Sequence, residues 1–246
     1  MVATHGRHLV VENLENGAAQ AGERVRCHPR GKKTDAVVGD IVRWQRSGDE
    51  GVVEAIEPRR NLLFRQDEWR TKSFAANLDA ILVLVAVEPP FGEAQLTRAL
   101  IAAASAGVPA WIGLNKIDLA GADASRERLA PYRAMGIEVL EFALKARSAS
   151  EPDAAAWADA AHALLAPRLA GRTTLVLGPS GMGKSTLINR FVPQAEAQVG
   201  EISKALNTGR HTTTTTTWYA LGPNGADGAL IDSPGFQAFG DRKSVV

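Results

Sequence analysis

The chain has one cysteine, Cys27, among 246 residues, which excludes an intrachain disulfide and any zinc site built from several thiolates. It has no surplus of either charge: 28 Lys+Arg stand against 27 Asp+Glu, a formal net charge of +1. Any nucleic-acid contact must therefore come from a local patch, because the molecule as a whole is not polybasic. Long apolar runs are missing too. The longest uncharged stretch, Ala99 to Asn115, is interrupted by Ser105, Gly107 and Pro109 and falls short of a membrane span. Arg7 and His8 are followed by no apolar segment of the secretory kind, so a cytoplasmic protein with no membrane partner is expected. What is present, 45% apolar and 22% charged residues, is the composition of a globular protein. The length suits one large or two smaller domains.

Residues 1 to about 72 read as short strands. Val37 to Trp44 and Gly51 to Ile56 carry β-branched residues, with Gly-Asp and Ser-Gly-Asp turns as punctuation. Such spacing suits a small barrel or sandwich. Arg24, Arg26, His28, Arg30, Lys32 and Lys33 fall within ten residues that contain no acid, and Arg59, Arg60, Arg65, Arg70 and Lys72 follow. Composition leaves two readings open, a solvated surface or a nucleic-acid contact.

From Ala80 the pattern changes to strands alternating with helices. Strands are expected at Ala80–Val87, Val108–Leu114, Ile137–Leu140, Thr173–Leu177, Thr216–Leu221 and Ala229–Ile231. Helices are expected at Glu93–Ala106, Ser125–Met135, Pro152–Leu169 and from Lys184. Six strands in this alternation predict an α/β layer fold with a mostly parallel sheet.

The strongest local signal is Gly178-Pro179-Ser180-Gly181-Met182-Gly183-Lys184-Ser185, which fits G-x-x-x-x-G-K-[ST] between an apolar strand and the helix-forming Thr186-Leu187-Ile188-Asn189. The glycines let the backbone curl so that its N–H groups face phosphate oxygens, and the helix N-terminus adds partial positive charge. Lys184 would reach the β- and γ-phosphates, and the Ser185 hydroxyl would ligate Mg²⁺. Asn115-Lys116-Ile117-Asp118, at the end of an apolar strand, names the base. An aspartate can accept two parallel hydrogen bonds from guanine's ring N–H and exocyclic amine, a donor pair adenine lacks, and such sites discriminate by about 10⁴-fold. Lys116 would lay its stem along the base plane, and Asn115 would tie the loop together. Asp232-Ser233-Pro234-Gly235 fits D-x-x-G. Asp232 would hold Mg²⁺ through water and the Gly235 N–H would sense the γ-phosphate. Between these pieces, Gly209-Arg210-His211 precedes six threonines. A nucleotide switch needs one threonine on Mg²⁺ and the γ-phosphate; Thr212 or Thr213 is that ligand, with Thr215 to Thr217 entering a strand.

In Ras-like GTPases the base-reading motif follows the phosphate loop, whereas here Asn115–Asp118 precedes Gly178–Ser185. A circular permutation accounts for the order without altering any spatial contact. With this order the chain resembles the bacterial ribosome small-subunit-dependent GTPase A (RsgA) family from Gly39 to Gly240. Val38-Gly39-Asp40, Arg59-Arg60-Asn61-Leu62-Leu63, Ala76-Asn77-Leu78-Asp79, Pro89-Pro90-Phe91 and Gly209 to Thr213 also carry the resemblance. It implies an N-terminal OB-fold over 1–72, a circularly permuted P-loop GTPase domain over 73–240 and GTP hydrolysis in late maturation of the small ribosomal subunit. It also turns the basic run into an expected 16S rRNA contact through Arg24, Arg26, Arg30, Lys32 and Lys33. A monomer is expected. Lys184, Thr213 and His211 are the candidate catalytic residues, and Ser185, Thr213 and Asp232 the candidate Mg²⁺ ligands.

The chain departs from the family in three places. Phe142-Ala143-Leu144-Lys145 stands where a Ser-Ala contact to guanine is expected, leaving Ala143 as the backbone contact. Phe236 replaces the water-orienting glutamine of Ras; the family shares a hydrophobic residue there, which implies slow hydrolysis until a partner completes the site. His211 either orients that water or bonds the switch backbone. The family's C-terminal zinc module is missing, so zinc is not expected in this chain, and intact GTP binding with weakened subunit-dependent stimulation is. Asp241 to Val246 back-translate to a sequence resembling sequencing-adapter DNA, so 241–246 is expected to be a non-native tail. Two rival functions stand beside the GTPase. A P-loop ATPase or kinase is opposed by Asn115–Asp118. A non-catalytic RNA-binding module would keep GTP only as a structural ligand.

Overall fold

The computed structural model of the chain describes residues 1–5, 8–14, 22–31, 35–67, 70–145, 154–195, 216–222 and 227–233. The N-terminal strands are β1 (Ala3–His5), β2 (His8–Glu12), β3 (Arg24–Pro29), β4 (Val42–Ser47) and β5 (Glu50–Ile56). They lie side by side in the order β1-β2-β3-β5-β4, with β3 and β5 parallel and the other neighbours antiparallel. This agrees with the expected OB-type, partly open Greek-key arrangement. Alternating burial along β3 and β5 puts Val25, Cys27 and Val53 into a small core with Leu9 and Val11. Val37 to Asp40, expected as strand, instead form a turn with one isolated bridge from Val38 to Ala75. Gly39 (φ 91°) lies against the Ala76 carbonyl, and a side chain there would collide with it.

A separate ribbon, β6 (Leu62–Asp67) with β7 (Arg70–Ala76), follows. The boundary expected after residue 72 therefore falls inside a strand, because Ala75 and Ala76 still pair with Leu63 and Leu62.

The second half comprises β8 (Ala80–Ala86), α1 (Glu93–Ser105), β9 (Ala110–Asn115), α2 (Ala122–Ala134), β10 (Val139–Phe142), α3 (Ala154–Leu169), β11 (Arg172–Leu177), α4 (Lys184–Phe191), β12 (Thr217–Ala220) and β13 (Gly228–Asp232). Their order is β10-β9-β8-β11-β13-β12, parallel throughout except for the antiparallel β12. These are the six strands the sequence pattern predicts. Every residue of β8 is buried because helices cover both faces. Ile81, Val83 and Val85 pack with Leu96 and Ala99 of α1 and Leu129 of α2. Leu82 and Leu84 pack with Leu165 of α3 and Leu187 of α4 on the other side. Each such side chain stabilises the fold by about 1.5–3 kcal/mol relative to exposure. No helix among the described residues is long and apolar enough to cross a membrane.

The two halves share one 11-stranded sheet, since β1 pairs with β12 at Ala3 and Thr217, and the Trp218 N–H donates to the Val2 carbonyl. A polar clasp joins them as well, and it is made of the family-like segments that carry no nucleotide chemistry. The buried Asp40 carboxylate accepts from Arg59 Nε at 2.7 Å, Arg59 Nη2 at 2.9 Å and the Val37 N–H at 2.8 Å. Asn77, in the left-handed region at φ 57°, accepts from the Arg60 N–H and donates to the Gly39 carbonyl; asparagine is among the few residues that adopt this conformation readily. Asp79 accepts from Arg60 Nη1 and from the Thr173 N–H at the start of β11.

Candidate nucleotide site

Five loops leave the carboxyl ends of parallel strands at one edge of the sheet, where ligands of open α/β folds bind. They follow β8, β9, β10, β11 and β13, and among the described residues they carry all the expected nucleotide contacts. The loop after β11 runs from Gly178 to Gly183 and feeds α4. Gly178 lies so close to the Leu84 carbonyl, and Gly183 so close to Asn115 Nδ2, that no side chain fits at either position. Gly183 is the N-cap of α4 at φ 103°, and no side chain caps the helix. The first intrahelical bond is from the Leu187 N–H to the Gly183 carbonyl at 2.9 Å. The N–H groups of Lys184, Ser185 and Thr186 therefore have no partner within the helix and suit an anion. Ser180, Gly181, Ser185 and Thr186 are exposed, Pro179 is half-buried and Met182 is buried.

Asn115 is the fastening point. Only 3% exposed, it donates from Nδ2 to the Met182 carbonyl at 2.8 Å. Its Oδ1 accepts from the Lys116 N–H at 2.8 Å and the Leu144 N–H at 3.1 Å. One side chain thus binds the loops after β9, β10 and β11 together, which brings the Asp118 and Lys184 loops to the same place although they are far apart in sequence. The tie through Leu144 has no sequence signature. Ala143 beside it is fully buried, and Ile117 is half-buried. Asp118 has a buried Oδ1 with no hydrogen-bond partner, the state expected of an acceptor that awaits a donor pair.

Lys184 donates to the carbonyls of Gly178 at 2.6 Å and Pro179 at 3.0 Å. Burial lowers its pKa, partly offset by the charge of Asp232. Burial also pushes the Asp232 carboxyl up to about 6, against the opposing pull of Lys184 and the Ser233 N–H. Opposite charges that both lean toward neutrality are not acting as a full ion pair; desolvation outweighs their attraction. Asp232 Oδ1 is buried without a partner. A carboxylate, a serine hydroxyl and phosphate oxygens are a donor set that fits Mg²⁺, so Asp232 and Ser185 fit the expected role. Among the described residues, no group of three or more His, Cys, Asp or Glu gathers that could hold a metal. Ser233, absent from the expected site, is buried and donates to the Val176 carbonyl at 3.1 Å, tying the end of β13 to β11.

Expected positions Lys32, Lys33, His211, Thr212, Thr213, Gly235, Phe236 and 241–246 lie outside the described residues. In the barrel the basic run is not bare charge. Arg24 faces Glu12 across β2 and β3 at 2.9 Å, Arg26 meets Glu50 at 3.3 Å and Arg30 meets Glu54 at 3.1 Å. The acids are distant in sequence and arrive from neighbouring strands, so no window along the chain could reveal them.

The RsgA GTPase family model matches residues 56–241. The small ribosomal subunit biogenesis GTPase RsgA of Variovorax paradoxus is 56% identical over 241 residues, covering 98% of this chain and 70% of that protein. Its counterpart in Burkholderia pseudomallei is 52% identical over 242 residues, covering 98% and 71%. Among solved structures, YjeQ from Thermotoga maritima superposes with a TM-score of 0.64 at 23% identity, over 98% of this chain and 75% of that one. YloQ, described as a circularly permuted GTPase, gives 0.56 at 24% identity, over 97% and 71%.

Proposed function

Because the chain belongs to the RsgA GTPase family, we propose that it hydrolyses GTP to GDP and phosphate in late maturation of the small ribosomal subunit. The observation that carries this is the Asn115 fastening of the Met182 and Leu144 loops, which suits a single guanine nucleotide lying between Asp118 and Lys184. The backbone of Gly178 to Thr186 and the Lys184 ammonium bind the phosphates, releasing Lys184 from its own loop's carbonyls. Asp118 accepts guanine's two N–H groups, and Lys116 with Ile117 and Ala143 flanks the base. Ser185, Thr213 and Asp232 would hold Mg²⁺, which would supply positive charge against the phosphoryl oxygens. The Gly235 N–H meets the γ-phosphate, and His211 orients the attacking water.

Partner recognition belongs to the barrel. Exposed ion pairs contribute little, about 0–1 kcal/mol, so the exposed Arg30 can exchange Glu54 for phosphate at small cost, joined by Lys32 and Lys33, while Arg24 and Arg26, half-buried on β3, add positive charge beside it. The partner is the small subunit through its 16S rRNA, and the protein acts as a cytoplasmic monomer. The test is single-turnover GTP hydrolysis with and without purified small ribosomal subunits. Turnover should rise severalfold with subunits and disappear in Lys184→Ala, whose affinity for mant-GDP should fall about 10³-fold, or about 4 kcal/mol. Turnover that never exceeds the subunits' own background would favour the non-catalytic module instead.

A further inference from the structure

We propose that Arg128, on α2 and outside every nucleotide motif, is a positioning residue for the guanine site, acting through the loop that follows β8. The inference rests on the nucleotide reading above and adds to it the role of the Pro89-Pro90-Phe91 segment.

Residues 88 to 91 touch two parts of the site at once. The Glu88 carbonyl accepts from Lys116 Nζ at 2.5 Å. Pro89 lies against Gly181 at the tip of the phosphate loop, so that a Cβ added there would sit 3.3 Å from its ring. Two consecutive prolines have no backbone N–H, so they contribute no donors with which the loop could brace itself. On one side β8 hands over through the Val87 N–H bond to the Asn115 carbonyl. On the other side the brace is Arg128. Its Nη2 donates to the Phe91 carbonyl at 2.6 Å, its guanidinium lies 4.2 Å from the centre of the buried Phe91 ring, and its Nε pairs with Glu93 at 3.1 Å. Three contacts of different kinds thus fix the far end of the loop to α2.

The connection matters because Lys116 is held against its own preference. Its backbone is left-handed, φ 65°, which costs a non-glycine residue roughly 1–3 kcal/mol unless the surroundings enforce it. The enforcing contacts are the bond from its N–H to Asn115 Oδ1 and the bond from Nζ to Glu88. If the loop loses its brace, the Glu88 carbonyl moves, and Lys116 relaxes away from the base plane. The partners of Arg128 are Phe91 and Glu93, neither of them an expected nucleotide contact, so its effect travels through Phe91, Glu88 and Lys116.

The test is a double-mutant cycle on the full chain, read as mant-GDP affinity, with thermal melting of each variant alongside. Arg128→Ala should weaken mant-GDP binding about 3–10-fold while the nucleotide-free melting temperature moves little, and Arg128→Lys, which keeps the charge but not the fork, should fall between. In a Lys116→Ala background, Arg128→Ala should have no further effect. Equal affinity of Arg128→Ala and wild type would overturn the proposal, as would additivity with Lys116→Ala, the signature of a separate structural role. A wild-type chain that binds no mant-GDP would instead overturn the nucleotide reading, and the proposal with it.

Discussion

In the barrel, Arg24, Arg26 and Arg30 each meet a carboxylate from a neighbouring strand, and the buried Asp40 is wrapped by Arg59 and a backbone N–H. At the carboxyl edge of the parallel sheet, Asp118 and Asp232 each keep a buried oxygen with no hydrogen-bond partner, and Lys184 turns back on its own loop. Among the described carboxylates, the buried oxygens left without a hydrogen-bond partner fall at this sheet edge and not in the barrel. A buried polar atom left unpaired costs about 1–3 kcal/mol, and a fold carries such a cost where a ligand will later supply the partner. The difference therefore marks where ligand chemistry sits more sharply than charge density along the chain does.

The comparison can be broken in three places, taken in order of expected size. Asp118→Asn should exchange the acceptor pair for a mixed donor and acceptor, shifting preference from guanine to xanthine nucleotides by about 10⁴-fold. Direct titration of wild type and variant with mant-GDP and with mant-XDP measures this, and an unchanged ratio would remove Asp118 from the base site. Asp40→Ala should cost the barrel about 3–5 kcal/mol in urea unfolding, because it strands the Arg59 guanidinium, while mant-GDP affinity stays within about threefold. A loss below about 1 kcal/mol would show that the clasp is not structural.

Asp232→Asn should act with the opposite sign and stabilise the nucleotide-free protein by on the order of 2 kcal/mol at pH 7. The sign follows from the carboxyl's rise from 3.8 to about 6. Protonation favours the folded state, so its contribution is fully present below about pH 4 and is lost as pH rises through 6. The gain from asparagine should accordingly appear at pH 7 and vanish at pH 4. Melting temperatures at the two pH values check it, and a destabilised variant at pH 7 would contradict the account of an unpaired, desolvated carboxylate.

Much of the parallel half was legible in the chain. A strand buried on both faces must be apolar throughout, so β8 announced itself as Ala80 to Val87, one residue longer than the strand that forms. The glycines of the phosphate loop were legible for a related reason: the backbone passes too near Leu84 and Asn115 for any side chain. The barrel was less legible. Its strands are short, and Val37 to Asp40 have the β-branched look of a strand yet are bent into a turn by the bonds that Asp40 makes to Val37 and Arg59. The pairing of the basic run with Glu12, Glu50 and Glu54 was hidden because strand neighbours are set by register, not by sequence distance.

The sequence by itself determined which chemical groups are available and which local turns carry them, because the glycine loop Gly178–Gly183 and the strand end Asn115–Asp118 are short-range patterns fixed by backbone sterics. Only the tertiary structure decided which of those groups meet. Asn115 reaches Met182 and Leu144 across gaps of 67 and 29 residues, the barrel joins the larger sheet where Ala3 pairs with Thr217 and the Trp218 N–H meets the Val2 carbonyl, and Arg128 finds Phe91 across 37. Contacts of that span depend on how buried apolar faces stack, and packing is a property of the whole fold rather than of any stretch of chain.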